Sequence, residues 1–176
     1  MLLEGKSKNL CQAGRLVLLR PAIPGLRQRR TLYRAKSLHA VLTTGPWLST
    51  KDEARWGELR YWCDRFVDGG RIYLRERPRA KKSTADMAQL EPWTDEVWEI
   101  RSIDPKPSIR IFGSFTEKDA FVGLTWSFRK DLDGYGGPKW QRAIQIYKTE
   151  WRNFFDCAPM SGEYPYDYLS ETVVLD

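Results

Sequence analysis

Arg101, Arg110 and Arg129 fall on three successive segments rich in β-branched and aromatic residues. A guanidinium is permanently charged and offers a planar fork of donors, so two of them on one surface suit the grip of a single phosphate. The segments are residues 97–103 (VWEIRSI), 108–115 (SIRIFGSF) and 120–130 (AFVGLTWSFRK). Asp104-Pro105-Lys106-Pro107 and Thr116-Glu117-Lys118-Asp119 punctuate them, and connections this short predict an antiparallel meander. A side-chain period of two then sorts the residues onto two faces. Trp98 and Ile100 oppose Glu99 and Arg101, and Ile109 and Ile111 oppose Arg110 and Phe112. On the third segment Ala120, Val122, Leu124, Trp126 and Phe128 oppose Phe121, Gly123, Thr125, Ser127 and Arg129. One face reads as core and the other as an open surface that gathers the three arginines.

The order WEIR, turn, RIF, turn, FVGLTWSFRK resembles the small bacterial toxins of the RelE/ParE superfamily, and most of all their phage-derived Gp49-like (HigB-type) branch. That pattern runs W-E-I-R, then R-V-F, then a hydrophobic strand ending in F-x-K. Here the matching residues are Trp98-Glu99-Ile100-Arg101, Arg110-Ile111-Phe112 and Phe128-Arg129-Lys130. The resemblance implies the toxin of a type II toxin-antitoxin system, a metal-independent endoribonuclease (mRNA interferase) that cuts messenger RNA on the ribosome and so inhibits translation. It implies no cofactor, and as partners a small helix-turn-helix antitoxin, the ribosome and its mRNA. Carried onto this chain, Arg110 and Arg129 would stabilise the scissile phosphate. Lys130 would serve as base if neighbouring arginines depress its pKa, and Tyr135 would be a proton donor by proximity. The ParE branch of the same fold poisons DNA gyrase, so a non-catalytic binding protein is the second expectation. Glu99, Arg101 and Arg110 also read as a plain cross-strand ion ladder.

The elements that must position these residues follow from the rest of the chain. The net charge of +6 over 176 residues is unevenly divided. Residues 1–36 hold nine Lys and Arg against Glu4, whereas the remainder holds 20 basic and 22 acidic residues. With little hydrophobic periodicity and two prolines, residues 1–36 are expected to be a basic, flexible extension. Residues 38–43 (LHAVLT) read as a first strand. Thr50 and Glu53 have capping-box spacing, and Trp56, Leu59, Trp62, Cys63, Phe66 and Val67 recur at helical spacing up to Gly69-Gly70. The run RERPRAKK supplies Arg75, Arg77, Arg79, Lys81 and Lys82, either a solvated loop or an RNA-contacting one. Pro138 opens a second helix whose stripe is Trp140, Ala143, Ile144, Tyr147, Trp151, Phe154 and Phe155.

The expected fold is therefore α+β and RelE-like: a small antiparallel sheet, the meander plus an N-terminal strand, packed on two or three helices over residues 37–156. Residues 157–176 carry no Lys or Arg and read as an acidic tail. Three cysteines without a CxxC pair and one histidine give no zinc constellation and point to a reduced, cytoplasmic protein. No apolar stretch approaches the ~20 residues a spanning helix needs, and no membrane partner is expected.

Overall fold

The structure is a computed structural model that describes residues 3–44, 50–75 and 85–175. It is an α+β fold built on one mixed sheet. The meander stands as the sequence predicts, with β5 at Trp98–Arg101, β6 at Ile109–Glu117 and β7 at Ala120–Phe128, each antiparallel to the next. Among the described residues, however, the sheet has eight strands instead of a meander plus one. Before the meander come β1 (Leu16–Leu18), β2 (Thr31–Ala35), β3 (Ile72–Arg75) and β4 (Met87–Gln89), and β8 (Thr172–Leu175) follows it. Their order across the sheet is β1-β2-β7-β6-β5-β4-β3-β8. The pairs β2–β7, β3–β4 and β3–β8 are parallel.

Residues 1–36 are not a flexible extension. They supply helix α1 (Leu3–Gln12) and strands β1 and β2. Leu10, Leu16, Leu32, Tyr33 and Ala35 belong to the core, and β2 lies between β1 and β7. The segment looked featureless because β2 is covered on both faces, so Leu32 to Ala35 is buried throughout without the alternation of a half-exposed strand. Its charges are also placed: Arg30 is 3 % exposed and donates to the carbonyls of Gly70 and Ser170, beside Asp119.

The strand expected over residues 38–43 is instead helix α2 (Lys36–Thr44), in which Leu38 and Leu42, four apart, are buried together. Helix α3 (Thr50–Val67) follows with its expected stripe buried. Gly69 at φ +80° ends it, and the Gly70 amide reaches back to the Arg65 carbonyl at 2.8 Å, a glycine-dependent helix stop. Helix α4 (Pro138–Phe154) buries Trp140, Ile144, Tyr147 and Trp151. The acidic tail is likewise built in: helix α5 (Pro165–Tyr168) leads into β8, and Tyr168 and Leu169 are 1 % and 0 % exposed.

Helices cover both faces of the central hairpin. Helix α3 lies on one, with Trp56 against Trp126 (ring centroids 5.1 Å apart) and Phe66 against Phe121 (6.5 Å). Helix α4 lies on the other, with Trp140 edge-on to Phe112 at 6.3 Å. Phe121 and Trp126 both meet α3 although they are an odd number of positions apart, because the register slips between Phe112 and Gly113. This β-bulge inverts the expected parity of β7 below Thr125, so Val122 pairs with Ser114 on the α4 side. A Cβ at Gly113 would stand 2.3 Å from the Val122 carbonyl oxygen and 2.4 Å from the Phe121 ring, so the bulge is closed by glycine.

A chain beginning at Ser37 is expected to lose cooperative unfolding, because it strips β2 from β7; a sharp melt close to that of the full chain would contradict this architecture. Trp151, 4 % exposed and stacked on Phe155 at 4.3 Å, predicts a loss of ~3–5 kcal/mol for Trp151→Ala in denaturant titration.

Candidate nucleic-acid interface

The meander brings the arginines to one face, and the sheet extends the row. Arg101 lies directly opposite Arg110, Glu99 opposite Ala88, and Ala88 opposite Arg75. Cross-strand partners share a face, so Arg75, Glu99, Arg101 and Arg110 line the same side as Phe112, the side of α4. Arg129, in the single turn after β7, joins them, since its charge and that of Arg101 both bear on Arg110. The sequence-predicted residues Arg75, Arg101, Arg110 and Arg129 are therefore brought together.

Their exposure differs from expectation. Helix α4 closes the face over β6 and β7, and Arg110 is 7 % exposed. Its Nε pairs with Glu99 Oε2 at 3.0 Å, and Nη1 donates to the carbonyls of Ile109 (2.9 Å) and Ser102 (3.1 Å). Glu99, 3 % exposed, also pairs with Arg101 Nε at 3.4 Å. The cross-strand ion ladder is thus present, and Arg110 is its buried member. Burial, aided by the nearby Arg101 and Arg129, lowers the Arg110 pKa from its ordinary value, and Glu99 opposes the shift. Burial and then Arg101 act on half-buried Arg75 in the same direction, again opposed by Glu99. Like charges crowded on one surface favour a ligand that brings negative charge.

The remaining candidates are scattered around this row. Half-buried Arg129 donates from Nη1 to the carbonyls of Leu132 (2.9 Å) and Asp133 (3.0 Å), and its guanidinium lies over the Trp140 ring at 5.2 Å. Tyr135 packs on Trp140 at 5.0 Å, and its hydroxyl oxygen accepts the Glu91 amide at 3.1 Å. Lys130 is exposed, with its ammonium 5.7 Å from the Phe128 ring. Phe128 faces Trp56 of α3, so Lys130 sits toward the opposite side of the sheet from the arginines. Arg77, Arg79, Lys81 and Lys82 lie outside the described residues. Among those described, no group of three or more His, Cys, Asp or Glu side chains is placed to hold a metal.

A second polar centre went unseen in the sequence. Glu96, 5 % exposed and at φ +54°, accepts Gln89 Nε2 (2.8 Å) and the Tyr168 hydroxyl (2.6 Å) on Oε2, and the Ser161 hydroxyl (2.9 Å) on Oε1. Its carbonyl accepts Ser114 Oγ, which in turn accepts the Tyr147 hydroxyl. This network ties α4 and α5 to the sheet. Partners up to 72 residues away left no local signal of it.

No protein-family model matches the chain, and neither a curated protein nor a solved structure shows significant similarity to it.

Because Glu99 and Arg110 are both buried, removing one strands the other. Arg110→Met is expected to lose ~3–5 kcal/mol, whereas adding Glu99→Gln to it recovers much of the loss. Additive losses in that double-mutant cycle would show that the pair is not coupled.

Proposed function

We propose that this protein is a RelE-like toxin that grips messenger RNA at the ribosome through its arginine face. The observation that carries the reading is the convergence of Arg75, Arg101, Arg110 and Arg129 on one side of the sheet. Phosphate contacts of this kind supply sequence-independent affinity for a nucleic-acid backbone. Part of the element order supports the fold resemblance: a strand (β2), two helices (α2, α3), then, after the added strands β3 and β4, the β5–β6–β7 meander and a helix (α4), with β2 beside β7. In this reading the protein works in the cytoplasm and is held by a small helix-turn-helix antitoxin.

The roles of the residues follow from their settings. Arg101 and Arg129, half-buried, contact RNA phosphate, with Arg75 extending the grip along the backbone. Arg110 is a positioning residue, because its donors are directed at Glu99 and the backbone. The placement of Lys130 over Phe128, away from the arginine row, favours a second reading, in which the protein binds RNA and blocks translation without cutting it.

Two measurements test this. The purified protein is expected to bind single-stranded RNA with a log K that falls with log[salt], and Arg101→Gln or Arg129→Gln each reduces the slope by ~0.7. Induction in a bacterial host is expected to arrest growth, with mRNA truncated at ribosomes if the protein cleaves and intact if it only binds. Failure of the wild type to bind RNA would sink both forms of the proposal, and damaged DNA with intact mRNA would move the target to gyrase.

A further inference from the structure

Away from the arginine face, one arginine is buried without a hydrogen-bond or ion-pair partner among the described residues. Arg34, on β2, is 4 % exposed, and its register partner is Gly123 of β7. A Cβ on Gly123 would stand 3.3 Å from a Leu38 methyl of α2, so Arg34 lies on the side of the sheet that α2 and α3 cover. Its Nε is buried and meets no acceptor among the described residues. Cys63 and Asp64 of α3 are near enough to be felt electrostatically, but no carboxylate among the described residues forms an ion pair with it. The Cys63 thiol cannot compensate the charge as a thiolate, because burial pushes its pKa up to about 12.

A buried cation without a counter-charge is costly, and chains seldom keep one unless something completes it. A second orphan stands beside it. His39, on α2, has a buried Nδ1 with no hydrogen-bond partner among the described residues, and its pKa is lowered by burial and by the Arg34 charge. Two nitrogen groups without hydrogen-bond partners among the described residues, a guanidinium on β2 and an imidazole on α2, thus lie within electrostatic reach of each other.

We propose that Arg34 and His39 form a site for a small free oxyanion of the phosphate type, held where α2 and α3 close over β2. The guanidinium fork matches two oxygens of such an ion, and a protonated His39 Nδ1 reaches a third. The degree of burial selects a free ion over a phosphate carried on a larger molecule. Bound there, the ion supplies the missing counter-charge and ties the strand to both helices. Asp64, Asp68 and Arg60, whose charges meet around Asp64, set the field on the α3 side.

The test uses the full chain with inorganic phosphate at constant ionic strength. The melting temperature of the wild type is expected to rise by roughly 5–10 °C once phosphate stands ~100-fold above its dissociation constant. Arg34→Met is expected to abolish that rise and to melt higher than the wild type without phosphate, since it removes the uncompensated charge. Arg101→Gln keeps the rise, which separates this site from the arginine face. Adenosine monophosphate gives little or no rise, and an equal rise would overturn the free-ion assignment. His39 is the only histidine, so its ring resonances report directly: phosphate should shift them and raise the His39 pKa. Unmoved His39 resonances, or a phosphate response retained in Arg34→Met, would overturn the site even if the arginine face binds RNA as proposed.

Discussion

The β6–β7 hairpin carries helices on both of its faces, and most of the molecule follows from that constraint. A strand pair buried on two sides must be apolar or internally satisfied at nearly every position, and residues 109–115 of β6 are all buried. The Phe112–Gly113 bulge keeps both layers supplied, turning Phe121, Trp126 and Phe128 toward α3 and Val122 toward α4. Two buried polar side chains of this hairpin, Arg110 and Ser114, are met by partners. Arg110 is there because Glu99 lies beside it, and Ser114 because Glu96 and Tyr147 do.

The same constraint divides labour within the arginine row. Where α4 closes over the sheet, the guanidinium of Arg110 is part of the architecture. Toward the flanks, Arg75, Arg101 and Arg129 are only half-buried. Crowding like charges on a rigid sheet costs stability, and Glu99 offsets part of that cost from within. In the proposed reading, such a surface would lose little conformational entropy on meeting a backbone phosphate, which favours tight and salt-sensitive binding.

Buried charge recurs elsewhere in the sheet with different answers. Arg30 is met by two carbonyls and Asp119, Arg110 by Glu99, and Glu96 by three side-chain donors. Arg34 is the exception among the described residues that the foregoing structure leaves without such an answer. The contrast between Arg30 and Arg34, four residues apart on one chain segment, makes a ligand role for Arg34 more than a matter of composition.

The meander, α3 and α4 were legible in the sequence because local rules decide them: turn residues between β-rich runs, and apolar residues at helical spacing. The gathering of Arg101 and Arg110 on one face was legible for the same reason, since a period of two needs no knowledge of the rest of the chain. What tertiary structure decided was which surfaces are covered. Residues 1–36 looked like a charged arm, but they supply α1, β1 and β2, and β2 pairs with β7 across some ninety residues, a contact that no local pattern records. Leu38 to Thr43 has too few residues for its period to choose between strand and helix, and packing of Leu38 and Leu42 chose helix. The bulge at Gly113 reversed the faces of half of β7 through close approach of Val122 and Phe121. Arg110 turned from an expected phosphate ligand into a buried ion-pair partner because α4, arriving from later in the chain, closes the face on which it stands.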